Sequence, residues 1–181
     1  MPNYLRAREG NTYFFTVVTH QRQPLLCLDQ SRMVLREIIE AIGALYPFRV
    51  EAWVLLPDHL HCIWTLPEGD RDYSSRWGLI KSQFSKRTRA DFHKEALLTD
   101  SRKRHRESTI WQRRFWEHQI RDEYDFKTHC DYIHYNPVRH GLVNAPKEWP
   151  YSTFYKFVKE GAYSEDWGSS VVAFPVNIGG E

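Results

Sequence analysis

Short stretches of this chain rich in β-branched and aromatic residues alternate with longer ones whose apolar positions are spaced as on a helix. Thr12 to His20 (Thr-Tyr-Phe-Phe-Thr-Val-Val-Thr-His) reads as a first strand. From Leu28 to Tyr46, the residues Met33, Leu35, Ile38, Ile39, Ile42 and Leu45 recur near helical spacing, with Asp29 or Ser31 as cap and Pro47 as stop. Phe48 to Leu56 and His59 to Leu66 are second and third strands, joined through Pro57-Asp58 as a hairpin with a very short connection. Tyr73 to about Ala90 is a second helix, with Trp77, Ile80 and Phe84 on its apolar face and Arg76, Lys81, Lys86, Arg87 and Arg89 on the polar one. Residues 91–109 are polar and charge-dense and read as a loop. Ile110 to Ile120 holds a short fourth strand, and Asp125 to Asn136 is a third helix, ended by Pro137. Trp149 to Val158 reads as a packed aromatic turn or helix.

The order β-α-β-β-α-β, then a helix, predicts an α+β protein: a ferredoxin-like split βαβ antiparallel sheet with helices on one face. A length of 181 residues suits one core, taken as a single domain over residues 1–158 with a C-terminal tail over 159–181. That fold hosts many functions, so function has to come from particular residues.

The third strand supplies the first of them. Its apolar run is interrupted by His59-Leu60-His61. Residues i and i+2 share a strand face, so both imidazoles point one way while Leu60 points into the core. Two imidazoles side by side make half of a divalent-metal site; two histidines on a half-exposed strand would show the same short pattern. The third helix supplies the second set. Tyr132 and Asn136 lie one turn apart on one stripe, with His129 a turn upstream and Tyr135 as a rival hydroxyl. Read alone, that stripe also fits a helix surface packed by aromatics.

Composition narrows the setting. No apolar run reaches the roughly 20 residues that span a bilayer, so no membrane role is expected, and no apolar segment follows the N-terminal Met-Pro-Asn-Tyr-Leu-Arg-Ala-Arg, so no secretory signal is read. Cys27, Cys62 and Cys130 are odd in number and widely spaced, which fits a reducing cytoplasm rather than a disulfide framework. The net charge is only +2, yet Arg76 to Arg114 holds twelve Lys/Arg against four Asp/Glu. A basic half on a near-neutral chain suggests a surface facing a polyanion. Arg76, Lys81, Lys86 and Arg87, then Arg113 and Arg114, are the expected phosphate contacts.

With these residues in view, the chain resembles the REP-associated tyrosine transposases, relatives of the single-tyrosine HUH insertion-sequence transposases. The resemblance runs from Gly10 to Tyr155. It rests on Gly10-Asn-Thr-Tyr-Phe-Phe-Thr16, Trp53 to Asp70, Ser75-Arg-Trp77 with Lys81-Ser-Gln-Phe84, Trp111 to His118, and Asp131 to Val143. The segment between Lys86 and Ile110 looks like an enlarged variable loop. The resemblance implies an HUH endonuclease fold, with His59 and His61 holding Mg²⁺ or Mn²⁺, Asn136 as third ligand and Tyr132 as nucleophile. Tyr135 is left to packing or DNA contact, and Asp58, His129 and Glu117 are weaker candidates for supporting or proton-transfer roles. It implies cleavage and rejoining of single-stranded DNA at palindromic REP hairpins through a 5′-phosphotyrosine, in DNA transposition and recombination, and so a cytoplasmic, nucleoid-associated protein. The REP-associated branch implies a monomer, whereas the wider HUH group exchanges helices between subunits. Two other readings stay open: a non-catalytic hairpin-binding regulator, and a metallohydrolase that activates water.

Overall fold

The computed structural model describes residues 11–180. Residues 1–10 of the expected domain, Gly10 among them, and Glu181 of the tail lie outside the described residues. Four strands, β1 (Thr12–Val18), β2 (Arg49–Leu55), β3 (His59–Thr65) and β4 (Trp116–Gln119), form one sheet in the order β2-β3-β1-β4. Every neighbouring pair is antiparallel. This is the split βαβ arrangement expected from the order of elements, and it sets β3 beside β1 in the middle of the sheet.

Helices α1 (Asp29–Leu45) and α2 (Tyr73–Arg87) share one face of the sheet. Leu35, Ile38 and Ile42 of α1 and Trp77, Ile80 and Phe84 of α2 pack there with Phe15, Val17, Leu60, Cys62 and Trp64. Trp77 stacks on Trp64 with ring centroids 4.2 Å apart and 12° between planes, a pairing worth about 1 kcal/mol beyond its buried area.

The opposite face is covered as well, which corrects the expectation of helices on one face. Two short helices, α3 (Arg89–Phe92) and α4 (Asp100–Arg104), occupy the segment read as a loop. After β4, helix α5 (Glu123–Arg139) and helix α6 (Phe154–Lys159) close over Phe14, Ala52, Val54 and Ile63. The reason is in the strands. β1 is buried at six consecutive positions and β3 likewise, so each has a buried row on both sides, the α5-facing one mixing Phe14 and Ile63 with Thr16, His59 and His61, and needs two covers. A bulge between Val50 and Ala52 also turns β2, so that Val50 pairs with Trp64 on one face and Ala52 with Ile63 on the other. The free edge of β2 is protected by residues 151–153: Leu55 N–H donates to the Tyr151 carbonyl at 2.8 Å and Trp53 N–H to Thr153 Oγ1 at 2.9 Å.

Three local expectations change. The N-cap of α1 is Leu28, with no side-chain cap bond, rather than Asp29 or Ser31. Met33 and Leu45 are exposed while Val34 is buried. Helix α5 runs through Pro137 to Arg139 instead of ending at Asn136. Proline removes one N–H and suits a helical φ, so one placed in the last turn costs a single hydrogen bond and need not stop the helix.

Candidate active site

His59 and His61 lie fully buried on the α5 side of β3, while Leu60 points to the α1–α2 core, as the strand period requires. Both rings are oriented through Nδ1. His59 Nδ1 lies 2.6 Å from Asp58 Oδ1; a carboxylate only accepts, so this nitrogen carries the proton. Burial pushes the Asp58 carboxyl up, but the His59 and Arg22 partners outweigh it and leave it below its ordinary range. His61 Nδ1 lies 2.8 Å from Thr16 Oγ1, and Thr16 spends its own proton on the Gly179 carbonyl at 2.7 Å. His61 Nδ1 is therefore also the donor, and on each ring Nε2 is the atom that would meet a cation.

Across from these rings runs the stripe Tyr132–Asn136–His140, one residue per turn along the end of α5. The Tyr132 ring sits edge-on to His61 at 5.2 Å, and His140 edge-on to His59 at 5.0 Å. Asn136 lies between these two contacts. It is fully buried, and both Oδ1 and Nδ2 lack a hydrogen-bond partner. Leaving a buried amide unsatisfied costs about 1–3 kcal/mol, so such a group points to a missing partner. Two imidazoles in the ligating tautomer beside an orphaned amide oxygen fit a divalent cation. Arg139, from the helical turn beyond Pro137, donates from Nη1 to the Tyr132 hydroxyl at 2.9 Å.

The C-terminal segment closes this arrangement. Phe174 packs edge-on against Tyr132 at 5.6 Å. A cavity of about 400 Å³ lies between Tyr132, Tyr135 and Arg139 on the helix and residues 172–179 of the tail. Gly179 approaches so closely that a Cβ there would sit 2.1 Å from the Tyr132 hydroxyl oxygen. Tyr135 lines the same cavity and packs on Trp167 and Phe174.

At the start of α5 a second polar cluster forms. His118 Nε2 donates to Asp125 Oδ2 across 2.8 Å, His129 Nδ1 lies 3.1 Å from Asp125 Oδ1, and the two imidazoles stack at 4.6 Å. His129 is buried. Burial raises the Asp125 carboxyl, and its His118 and Arg121 partners more than reverse this. The three groups lie close enough to hold an ion. However, Oδ2 already accepts from the Arg121 backbone N–H and guanidinium, so the cluster reads as a clamp tying β4 to α5. Glu117 is exposed, and the β4 alternation turns it to the other face.

The basic residues divide. Arg76 is buried and fully engaged, donating to the Tyr46, Pro47 and Asp72 carbonyls and to both Asp70 oxygens. It holds α2 to the β2 approach and is not placed to meet phosphate, which corrects that expectation. Lys81 donates to the Gln112 and Arg113 carbonyls, and burial lowers its amine to about 8. Arg87 pairs with Glu37, and Arg113 with Glu107. Lys81, Lys86 and Arg113, joined by Arg89, Arg102 and Arg106, line an open pocket of about 400 Å³. Arg114 is exposed beside it in sequence. The pocket adjoins the end of the sheet that carries His59: Gln112 N–H bonds the Val18 carbonyl, and Val18 pairs with His59.

Residues 8–136 match the family described as "Transposase IS200 like". Over 166 residues, covering 92% of this chain and 90% of the relative, the sequence is 45% identical to the REP-associated tyrosine transposase of Escherichia coli K12. The chain belongs to the REP-associated tyrosine transposases. A Haemophilus influenzae relative of this transposase group is 42% identical over 174 residues, covering 94% of this chain and 95% of its own. Among solved structures, a REP-associated tyrosine transposase bound to a REP hairpin superposes with a TM-score of 0.74 at 43% identity, covering 91% of this chain and 89% of that one. Among the described residues of this transposase family member, no helix is long and apolar enough to cross a membrane.

The sequence brought out His59, His61, Tyr132 and Asn136, and the fold gathers them. It did not bring out Thr16, Arg139 or His140. Thr16 is one threonine of an apolar strand, and its partnership with His61 depends on strand register. Arg139 and His140 lie beyond the proline read as the helix stop.

Proposed function

We propose that this protein nicks and rejoins single-stranded DNA at REP-type palindromic hairpins, with Tyr132 as nucleophile. The carrying observation is the Tyr132 ring edge-on to His61 at 5.2 Å, with the buried amide of Asn136 one turn further along the same helix face. The phenolic oxygen attacks phosphorus, forming a phosphotyrosine P–O bond as the P–O3′ bond breaks. The phenol gives up its proton and the departing 3′-oxygen gains one. The 3′-hydroxyl can reverse the step, so strands are exchanged rather than hydrolysed.

Each neighbour has a part. Arg139 donates to the phenolic oxygen and stabilises the negative charge that develops there. Asp58 and Thr16 hold the imidazoles with Nε2 turned to the site. His59, His61 and Asn136 would hold Mg²⁺ or Mn²⁺, which supplies charge stabilisation for the phosphate oxygens when bound. Lys86, Arg89, Arg106 and Arg113, which line the open pocket, and the exposed Arg114 would bind the phosphates of the hairpin, through contacts that weaken with salt. A hairpin-bound relative of similar fold supports that choice of DNA.

The test is incubation of hairpin-bearing single-stranded oligonucleotides with the protein and Mn²⁺, read on a denaturing gel. Cleavage should accompany a covalent protein–DNA band. Tyr132→Phe should abolish the band and keep hairpin binding, whereas Tyr135→Phe should retain it. An adduct that survives Tyr132→Phe and disappears in Tyr135→Phe overturns the assignment. Seating of the tail against Tyr132 favours one second reading, a hairpin-binding regulator without turnover. Tight hairpin binding with no cleavage, even when the tail is unseated, would select it.

A further inference from the structure

The tail that covers Tyr132 covers a second aromatic surface. Trp116 opens β4; its partner on β1 is Thr16, and the Thr16 partner on β3 is His61. Residues in register across antiparallel strands share a face, so the indole, the Thr16 hydroxyl and the His61 ring form one row on the active-site side of the sheet. Trp116 belongs to neither hydrophobic core and stays 45% exposed even with the tail in place. A large aromatic left half open forgoes burial that a core position would supply, so structural packing does not account for it.

Backbone rests on this ring. Gly180 approaches so closely that a Cβ would sit 2.5 Å from Cγ and 2.6 Å from Cδ2 of the indole. One residue earlier, the Gly179 carbonyl accepts the Thr16 hydroxyl proton at 2.7 Å. Beside the ring a cavity of about 230 Å³ opens between Trp116, His118, Arg121 and Tyr124 on the domain and Asn177 and Ile178 on the tail. An oxygen acceptor at Thr16 and a thin layer on an indole, one step apart in the chain, reproduce what a nucleotide would present: a phosphate oxygen and a base.

We propose that Trp116 is the stacking platform for the nucleobase next to the scissile phosphate. Thr16 donates to that nucleotide's backbone, and Gly179–Gly180 occupies both positions while the tail is seated. Stacking on an indole is sequence-tolerant, because every base has a π-face. Trp116 is thus a positioning residue: it fixes the strand so that the phosphate lies over Tyr132. The inference rests on the reading of Tyr132 as nucleophile.

Binding tests it apart from cleavage. Full-length protein carrying Tyr132→Phe and Gly179→Ala, uncleaving and with the tail unseated, is titrated with hairpin oligonucleotides. One abasic site is placed in turn at each nucleotide of the flanking single strand. With Trp116 present, one position should lose roughly tenfold in affinity when its base is removed. Trp116→Ala should lose about as much on the intact oligonucleotide and nothing further at that one position, and Trp116→Phe should fall between. If Trp116→Ala weakens all oligonucleotides alike, with no position at which the two losses coincide, the indole is structural and the proposal fails. Coupling at one position without any adduct from protein that retains Tyr132 would sink the nucleophile instead and leave the platform standing.

Discussion

At the scale of single residues, the site was legible where its spacing follows a simple period. His59 and His61 share a face because strand side chains alternate, and Tyr132 and Asn136 share one because they stand a helical turn apart. Buried polar residues whose partners come from distant segments were not legible, and His134 is one. It lies fully buried in α5, its ring between the Tyr163 hydroxyl and Thr153 Oγ1. Burial pushes its pKa down to about 3 from the ordinary 6.5. The folded state therefore keeps this ring neutral while the unfolded chain binds a proton below pH 6.5. The sign follows: its contribution is fully present above pH 6.5 and is lost as pH falls toward 3, at up to about 1.4 kcal/mol per pH unit. Urea unfolding at pH 7.5 and pH 5 should show a steeper acid loss for wild type than for His134→Gln. Equal slopes would mean that the ring is reached by protons in the folded state.

At the scale of elements, the order of strands and helices was readable, and with it the split βαβ sheet, because each element carries its own period. What was not readable is what covers what. The continuous burial of β1 and β3 shows only once their neighbours are in place, and the turn beyond Pro137 brings Arg139 to Tyr132 although proline usually marks a helix end. Caps are a further case. Asp29 had the right residue type for α1 but does not cap it, whereas Asp122 does cap α5, accepting from Asp125 N–H at 2.8 Å. Asp122→Ala should therefore lower stability by about 1 kcal/mol. Asp29→Ala removes only an exposed ion pair with Arg32 and should stay within about 0.5 kcal/mol of wild type. Guanidinium midpoints of the two variants, measured side by side, check the contrast; equal losses would mean that the α5 cap carries no special weight.

At the scale of the whole molecule, the tail sits on the surface where the proposed chemistry would take place. Residues 159–181 read only as a tail because their glycines carry no period and no apolar face. Its place against Tyr132 depends on that lack of side chains, since a Cβ at Gly179 would overlap the phenolic oxygen. On the proposed reading, DNA and tail cannot both occupy Tyr132 and Thr16, so the seated tail would hold back cleavage by whatever free energy its seat is worth. One hydrogen bond from Thr16 contributes about 0.5–1.5 kcal/mol net, and the close contact at Gly179 adds to it. Gly179→Ala should unseat the tail and raise the rate of adduct formation by full-length protein roughly tenfold, the factor that corresponds to 1.4 kcal/mol. Affinity for a bare hairpin without the flanking single strand, which meets only the basic pocket lined by no tail residue, should stay near wild type. Single-turnover gels and a binding titration on the same variant separate the two effects. A slower adduct rate with unchanged affinity would show that the tail helps to build the site, and the competition between tail and strand would then have to be abandoned.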